Sequence, residues 1–590
     1  MNFAAISHRS AFTDCYALSA DEVVINLHTG KDVTAVALIH DDPYAGGATG
    51  FAAWDGHPEN MQISRELKHG YIWSITLKPD FKREQYYFSI CSAEESVLMF
   101  EDGFYSYEEA RKPGRMKQYY RFPWLNPADV ITVPEWVNDT VWYQIMPDRF
   151  CRGDQAPKRV PVKDWNNSRH VHFWDTYGGD LKGITSRLEY LRDLGVTGIY
   201  MLPLFLSSTN HKYNTFCYDT IDPDFGTEED LIELVEKAHS LGIRVMLDAV
   251  FNHSGTEFGP WKDVVEKGPA SDYWDWFFVG KWPIPKIPGG TGDGRFYSFA
   301  FTGMMPKLNT NNPEVISYFL ERCKNWVRRW NIDGIRFDVG NEVSHKFLKA
   351  LHSGLKEEKP DLFMLGEIWH DSVQWLQGDE YDSVMNYPFV ESLFNFWLDN
   401  QSSVDLMYAM NRIYAMYPEQ VNRVLFNFLD SHDTMRAVTR CGSRDILFQQ
   451  LAVLMTMPGS ACIYYGTEIA LEGKDDPDCR RPMPWGRVES GKSDRTLRDT
   501  KGLIELRKAY PEARRGCVLW KHDPENPRMV CYGRMLEGGN RVLAVYLNAE
   551  KEMRKLKLDG EVLYSRKLRG RTLMEGGIAI VMEDVGKWIT

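Results

Sequence analysis

The sequence predicts an α/β chain: a (β/α)8 (TIM) barrel with a small domain inserted after its third strand, between an N-terminal β-sandwich and a C-terminal β-sandwich. Three observations lead there. Strand-like alternation fills residues 1 to about 125 and returns after about residue 506. Between them, eight apolar strand candidates are separated mostly by helical stretches, the order that builds a parallel barrel. One connection, from Val250 to Gly334, is far longer than a single helix and its turns require.

In the first segment, EVVINLHTG (22–30), VTAVALIH (33–40), YIWSITLK (71–78) and QYYFSI (85–90) alternate between turn-rich stretches. This is the predicted domain 1–125, a small β-sandwich. FPWLNPADVITVPEW (122–136) carries three prolines and reads as a linker. The predicted catalytic domain, 126–505, holds TVWYQIMP (140–147), TGIYMLP (197–203), IRVMLDAV (243–250), GIRFDV (334–339), LFMLGEI (362–368), SVMNYP (383–388), RVLFNFLD (423–430) and SACIYYG (460–466) as its strands. TEEDLIELVEKAHSLG (227–242) shows the helical signal between them. Thr227 can cap it, acids fill the first turn, Leu231, Leu234, Val235 and Ala238 form one face, and Gly242 ends it.

A second helix is predicted at 313–330. The rest of the long connection holds DYWDWFFVGKW (272–282) and PIPKIPGGTGDG (283–294), and reads as a small domain over the barrel mouth, about 254–310. MVCYGRM (529–535), RVLAVYLNA (541–549) and MRKLKL (553–558) fall in the C-terminal domain, 506–590.

Composition narrows the classes. A net charge of −13 argues against a nucleic-acid partner, whose phosphates demand concentrated Lys and Arg. The N-terminus, MNFAAISHRSAFTD, lacks the apolar run of a signal peptide, and no stretch approaches the roughly 18 apolar residues of a membrane span. The ten cysteines stand singly with no C-x-x-C pair, so the expectation is reduced thiols in a cytoplasmic protein. The 19 Trp, 29 Tyr and 30 Phe suit both a large core and the stacking of rings on sugar faces.

Chemistry in such a barrel gathers at the C-terminal strand ends. Strand three ends in Asp248, Asn252 and His253; strand four in Arg336, Asp338, Asn341 and Glu342. Strand five ends in Glu367, Trp369 and His370, and strand seven in Asp430, His432 and Asp433. A lone R-x-D, such as Arg336 and Asp338, reads most simply as a structural ion pair. Carboxylates on four strand ends around one mouth instead point to a divalent metal or to acid, base and nucleophile work. A fixed guanidinium would repel a metal from Asp338 and is expected to lower its pKa. An ionised carboxylate beside a protonated carboxyl makes a retaining glycosidase pair.

DAVFNH (248–253), GIRFDVGNE (334–342), GEIWH (366–370) and FLDSHD (428–433) resemble the four ordered motifs of the α-amylase superfamily, glycoside hydrolase family 13. MPKLN (305–309) is similar to the marker of its neopullulanase, cyclomaltodextrinase and maltogenic-amylase subfamily. QIMPDRF (144–150), NHKY (210–213) and DPDCRRPMPW (476–485) add to the likeness. The resemblance implies that Asp338 is the nucleophile, Glu367 the acid/base and Asp433 the third carboxylate. It implies that His253 and His432 bond the same glucose, that Arg336 orients Asp338, and that Asp248 supports Arg336. Tyr218 is expected to stack beneath the reacting glucose, with an ordinary core tyrosine as the other reading. Trp369, Phe299 and Tyr387 are aromatic walls or ordinary packing. Glu342 would place the accepting water or sugar, and Asp476 with Arg480 would reach the glucose or form only an i, i+4 pair.

The implied activity is retaining hydrolysis of α-1,4 and some α-1,6 bonds in cyclodextrins, maltodextrins and pullulan. A mainly transglycosylating or α-1,6-preferring enzyme is the alternative within the fold, and a non-catalytic binding subunit the remote one. The resemblance also implies a homodimer in which the N-terminal domain covers a neighbour's site. No cofactor is required. Some relatives bind calcium after the first strand, but CRGDQAPKR (151–159), with one acid among several bases, makes calcium unexpected here. The chain departs from the family at Asn214 (for Asp), at FCY (216–218, for ADY), at Gly340 (for Ala) and at Thr467 (for Asp). These departures are expected near the donor pocket.

Overall fold

The computed structural model describes residues 1–45, 54, 56–112, 118–153, 158–167, 170–284 and 289–588. The chain divides into two compact units. One comprises Met1–Thr132, Leu376–Gly378 and Val404–Asn422; the other holds the remainder.

In the first unit two antiparallel sheets face each other. Val23–Gly30 and Gly70–Leu77 are central in a four-stranded sheet, and Val33–Asp41 and Glu84–Ser92 in a six-stranded one. Alternation sends Val23, Ile25 and Leu27 from one sheet and Val36, Leu38, Phe88 and Ile90 from the other into a shared core. Segment 404–422, which lies beyond the predicted domain in sequence, packs here. Asn411 Nδ2 donates to the Glu66 carbonyl (2.9 Å), and Gln420 Nε2 to the carbonyls of Ala17 (2.8 Å) and Leu18 (3.0 Å).

The second unit contains the barrel. Its strands are β1 (Val141–Ile145), β2 (Gly198–Met201), β3 (Arg244–Ala249), β4 (Gly334–Phe337), β5 (Phe363–Gly366), β6 (Ser383–Val384), β7 (Phe426–Asn427) and β8 (Ser460–Tyr464). All pair in parallel, in the order β6-β5-β4-β3-β2-β1-β8-β7, and a parallel bridge between Met385 and Phe426 joins the two ends. Every residue of these strands except Arg244 is buried, which is why they read as continuous apolar runs. The expected helix after β2 spans Glu228–Ser240 behind a Thr227–Asp230 capping box, and the one before β4 spans Pro313–Trp330.

Two predicted strands end early. β4 stops at Phe337, and Val339 is not a strand residue; it takes a left-handed conformation at φ 48°. β6 stops at Val384, and Asn386 then caps a helix, Tyr387–Leu398, so Tyr387 opens a helix rather than closing a strand.

The long connection holds a helix, Gly259–Lys267, and short bridges, among them Phe277 to Leu308 and Ser298 to Pro306. Trp261, Phe277 and Phe296 form its small core. Residues 285–288 of its Gly/Pro-rich stretch lie outside the described residues. The C-terminal strands, from Cys517–Lys521 to Thr572–Asp584, join one six-stranded antiparallel sheet. Among the described residues no helix is long and apolar enough to cross a membrane.

Candidate active site

The residues beyond the strand ends line a cavity of about 590 Å³. Its floor is the answer to the buried charges of β4. Arg336, fully buried, donates from Nη1 to Asp248 Oδ2 (2.9 Å) and Asp338 Oδ1 (3.0 Å), and its Nη2 pairs with Glu367 Oε2 at 2.8 Å. One guanidinium thus holds carboxyls from β3, β4 and β5 together. The Tyr200 hydroxyl (2.6 Å) and the Tyr213 hydroxyl (2.8 Å) also donate to Asp248 Oδ2. Asp248 is therefore saturated beneath the site, while Asp338, Glu367 and Asp433 face the cavity.

The left-handed turn at Val339 aims its backbone N–H at Glu367 Oε2 (2.9 Å), and Trp369 Nε1 donates to Glu367 Oε1 (3.1 Å). A β-branched residue in this conformation costs about 1–3 kcal/mol, strain of the kind that gathers at working sites. Asp433 accepts from Arg480 Nη2 (3.3 Å), and Arg480 in turn pairs with Asp476 (2.8 Å).

The rings sort differently from the sequence expectation. Tyr218 does not line the cavity. Its ring is fully buried against Phe251, Phe258 and Phe319, because the strand it sits on turns it into the apolar layer behind the barrel. The ring at the site is Tyr213, stacked on His432 at 5.3 Å with its hydroxyl over the Asp248 carboxylate. His211 lines the cavity beside it. Both stand in NHKY (210–213), whose family likeness by itself gives neither residue a role. Trp369 is half exposed on the cavity wall, and Tyr387 lies behind it, the two rings stacked at 3.7 Å. Phe299 and Glu342 line the wall built by the inserted segment and the β4 loop. Phe299 stacks on His253, and Lys307 of the MPKLN stretch donates to the Glu342 carbonyl (2.7 Å).

Two comparisons fix the family. Residues 144–524 match the model of the alpha-amylase catalytic domain, and residues 1–126 that of the alpha-amylase N-terminal ig-like domain. The chain belongs to the alpha-amylase family. It is a glycoside hydrolase. It is 40% identical to a cyclomaltodextrinase of Geobacillus thermopakistaniensis (strain MAS1), over 93% of this chain and 91% of that one. An intracellular maltogenic amylase of Bacillus subtilis (strain 168) is 39% identical over the same shares. A solved cyclomaltodextrinase structure superposes with a TM-score of 0.88 at 32% identity, covering 99% of this chain and 98% of that one.

In this alpha-amylase site the titrations are set by burial. Burial pushes the Asp338 carboxyl well up; Arg336 opposes it, and Glu367, Asp248 and Asp433 push it further up. The lowering expected from Arg336 is thus present but outweighed. Several carboxyls share one buried guanidinium, so a retained proton belongs to the set rather than to one residue. Burial also holds His253 and His211 down to about 3, and His432 well below the ordinary histidine range. All three are neutral hydrogen-bonding rings at neutral pH. Gln144 Nε2 donates to His432 Nδ1 (2.9 Å), which leaves the ring proton on Nε2, facing Tyr213 Oη (2.7 Å) and Asp433 Oδ2 (3.1 Å). Burial raises Asp476 to about 6 against the pull of Arg480.

The family departures are not on the cavity wall. Asn214 is buried and accepts from Ser207 Oγ (2.9 Å), and Thr467 Oγ1 donates to the buried Asp430 (2.8 Å). Gly340 is buried against Glu367 and Tyr381. Of the loop after β1, residues 154–157 lie outside the described residues. In its described part the Lys158 ammonium donates to Asp180 Oδ2 (3.0 Å), and Oδ1 of the same carboxylate accepts from the amides of Gly153 (2.9 Å) and Gly183 (2.8 Å).

Proposed function

We propose that this alpha-amylase family hydrolase cleaves α-glucosidic bonds in cyclodextrins and short maltodextrins with retention of configuration. The observation that carries it is the Arg336 clamp. Carboxyls paired with the two terminal nitrogens of one guanidinium lie close together. That suits the retaining separation of about 5–5.5 Å better than the inverting one of about 6.5–9.5 Å.

In this reading Glu367 delivers a proton to the glycosidic oxygen while Asp338 attacks the anomeric carbon, and the leaving sugar departs with that proton. Asp433 and the neutral His253 and His432 hold hydroxyls of the distorted glucose ring above Tyr213. Water then attacks the anomeric carbon, Glu367 takes its proton, and as the new C–O bond forms the C–O bond to Asp338 breaks to restore the carboxylate. A sugar in place of water gives a transferred oligosaccharide. The names of the relatives support the cyclodextrin and maltodextrin classes, and the single free thiols with one relative's printed name support a cytoplasmic setting. The homodimer through residues 1–125 belongs to the same reading and rests on the resemblance; a light-scattering mass of one chain overturns it.

The test is a side-by-side digest of β-cyclodextrin, soluble starch and pullulan, with an Asp338→Asn control. Faster cyclodextrin cleavage giving maltose and glucose is expected, and the control should lose at least about 10³-fold in kcat/KM. Starch cleaved far faster than cyclodextrin removes the substrate assignment. A control retaining more than that fraction removes the nucleophile assignment.

A further inference from the structure

A second cavity, of about 380 Å³, lies against the first. Two stretches of chain separate them, and each turns neighbouring residues to opposite sides. Phe173 and His211 line the catalytic cavity, whereas Trp174, Asn210 and Lys212 line the second. Neighbouring Cα atoms are 3.8 Å apart, so the shared wall is one residue thick.

Trp174 is 71% exposed, the most open tryptophan among the described residues. Its backbone is nevertheless fixed. Asn210 Nδ2 donates to the carbonyls of Phe173 (2.8 Å) and Asp175 (2.7 Å), and Lys163 Nζ donates to Asp175 Oδ2 (2.6 Å). The backbone on both sides of the ring is thus held, which sets where the ring stands beside the second cavity. Around it the second cavity holds Arg159 and Asp224, bonded to each other at 2.9 Å, and Ser208, whose Oγ accepts from Asn214 Nδ2 (2.8 Å). A flat ring with a few fixed polar groups is the surface that a sugar needs: stacking on its CH face and hydrogen bonds to its hydroxyls.

We infer that Trp174 and the second cavity form an extended subsite for α-1,4-glucan chains too long for the catalytic cavity, with the chain crossing the Phe173–Trp174 ridge. The inference rests on the proposed glucan-hydrolase reading and adds a length preference to it. A short substrate fills the first cavity alone; a longer one also gains the Trp174 stack.

The experiment compares kcat/KM for maltoheptaose and maltotriose in the full-length enzyme and in Trp174→Ala and Trp174→Phe, with the mass of each followed by light scattering. The ratio of the long to the short substrate should fall about 3- to 10-fold in Trp174→Ala, the worth of one aromatic stacking contact, and recover in Trp174→Phe. A ratio that stays put, or equal losses on both substrates, overturns the subsite. A change of mass in Trp174→Ala overturns it too, because Trp174 is then a contact between chains. If the unaltered enzyme cleaves neither maltooligosaccharide, the glucan-hydrolase reading itself fails. If it cleaves both and the ratio does not move, only the subsite fails.

Discussion

Tyr213 and Tyr218 share one short stretch and have opposite fates. The Tyr218 hydroxyl donates to the His253 carbonyl at 3.3 Å, and its ring fills the aromatic layer behind β3 and β4. Tyr213 is tied to Asp248 and His432, so it transmits the position of the Arg336 clamp to the place where a sugar would stack. Tyr213→Phe keeps the ring and removes one buried hydroxyl with two partners, so kcat/KM should fall about 10-fold while the fold holds. Tyr218→Ala should leave a cavity costing about 3–5 kcal/mol of stability. Tyr218→Phe should barely alter either quantity. Steady-state kinetics beside thermal melts separate the two residues, and a larger kinetic loss in Tyr218→Phe than in Tyr213→Phe would reverse the assignment. Sequence favours Tyr218 only through the family resemblance; residue by residue the two are alike, since both follow the second strand candidate and both have polar neighbours. What decides is which face of the Thr215–Ile221 strand meets the helix Pro313–Trp330.

At the scale of elements, the ends of β4 and β5 are joined by contacts that leave no space for a side chain. A Cβ on Gly340 would lie 2.9 Å from the Tyr381 hydroxyl and 3.2 Å from the Glu367 amide, and that hydroxyl donates to the Gly340 carbonyl (3.1 Å). The oxygen of Tyr381 fills the space that the methyl of the family's usual alanine would take. Gly340→Ala should therefore lower kcat about 10-fold by shifting Glu367 and destabilise the enzyme by about 1–3 kcal/mol. Tyr381→Phe alone should cost about 1 kcal/mol. The double variant should recover much of both losses, and strictly additive losses would show that the two positions are uncoupled. At the other end of β4, Asp333 pairs with His239 (2.7 Å), Arg244 (2.9 Å) and Lys359 (3.0 Å) and accepts from the Val245 amide (2.9 Å). Burial works against its charge, but these partners outweigh burial and hold its carboxyl well below the ordinary carboxylate range. A carboxyl with a depressed folded pKa stabilises above its unfolded pKa of about 3.9, and the gain is lost as the pH falls from there toward the folded value. Asp333→Asn should cost about 3 kcal/mol at pH 7 and flatten the acid limb of stability against pH. Parallel limbs for the two proteins would exclude Asp333 as a source of that limb. The eight strands were legible because burial on both faces leaves continuous apolar runs. The carboxylates at their ends were legible because charge there has no structural excuse. The turn at Val339 was hidden, since valine is a strand former and its strain is imposed by the Glu367 contact rather than by local preference.

At the scale of the molecule, one compact unit joins the N-terminal β-sandwich to a stretch of chain far beyond it in sequence. A deletion ending near residue 125 reads as removal of a self-contained β-sandwich, yet Val404–Asn422 belongs to that sandwich's unit. An amphipathic helix announces that it has an apolar face but not which sheet will cover it. Within this unit Lys31 Nζ donates to the Tyr408 hydroxyl (2.8 Å), Asn411 reaches the Glu66 carbonyl, and the buried Gln420 reaches Ala17 and Leu18. Removing residues 1–132 strips these partners away. Each buried polar group left open costs about 1–3 kcal/mol, and the apolar residues of the segment, Leu406, Met410 and Ile413 among them, lose any cover the deleted sheets supply. The truncated chain should therefore melt at a clearly lower temperature and bind a hydrophobic dye. A fall in cyclodextrin cleavage after this deletion would then reflect a damaged segment following β6 as well as a missing domain. Replacing Gln420 by Ala in the full chain separates the two effects. It should lower the melting temperature by a few degrees while the ratio of cyclodextrin to starch cleavage stays constant. A deletion mutant that melts with the full-length protein would show that 404–422 is stable without the sandwich, and the domain boundary would then stand where the sequence puts it.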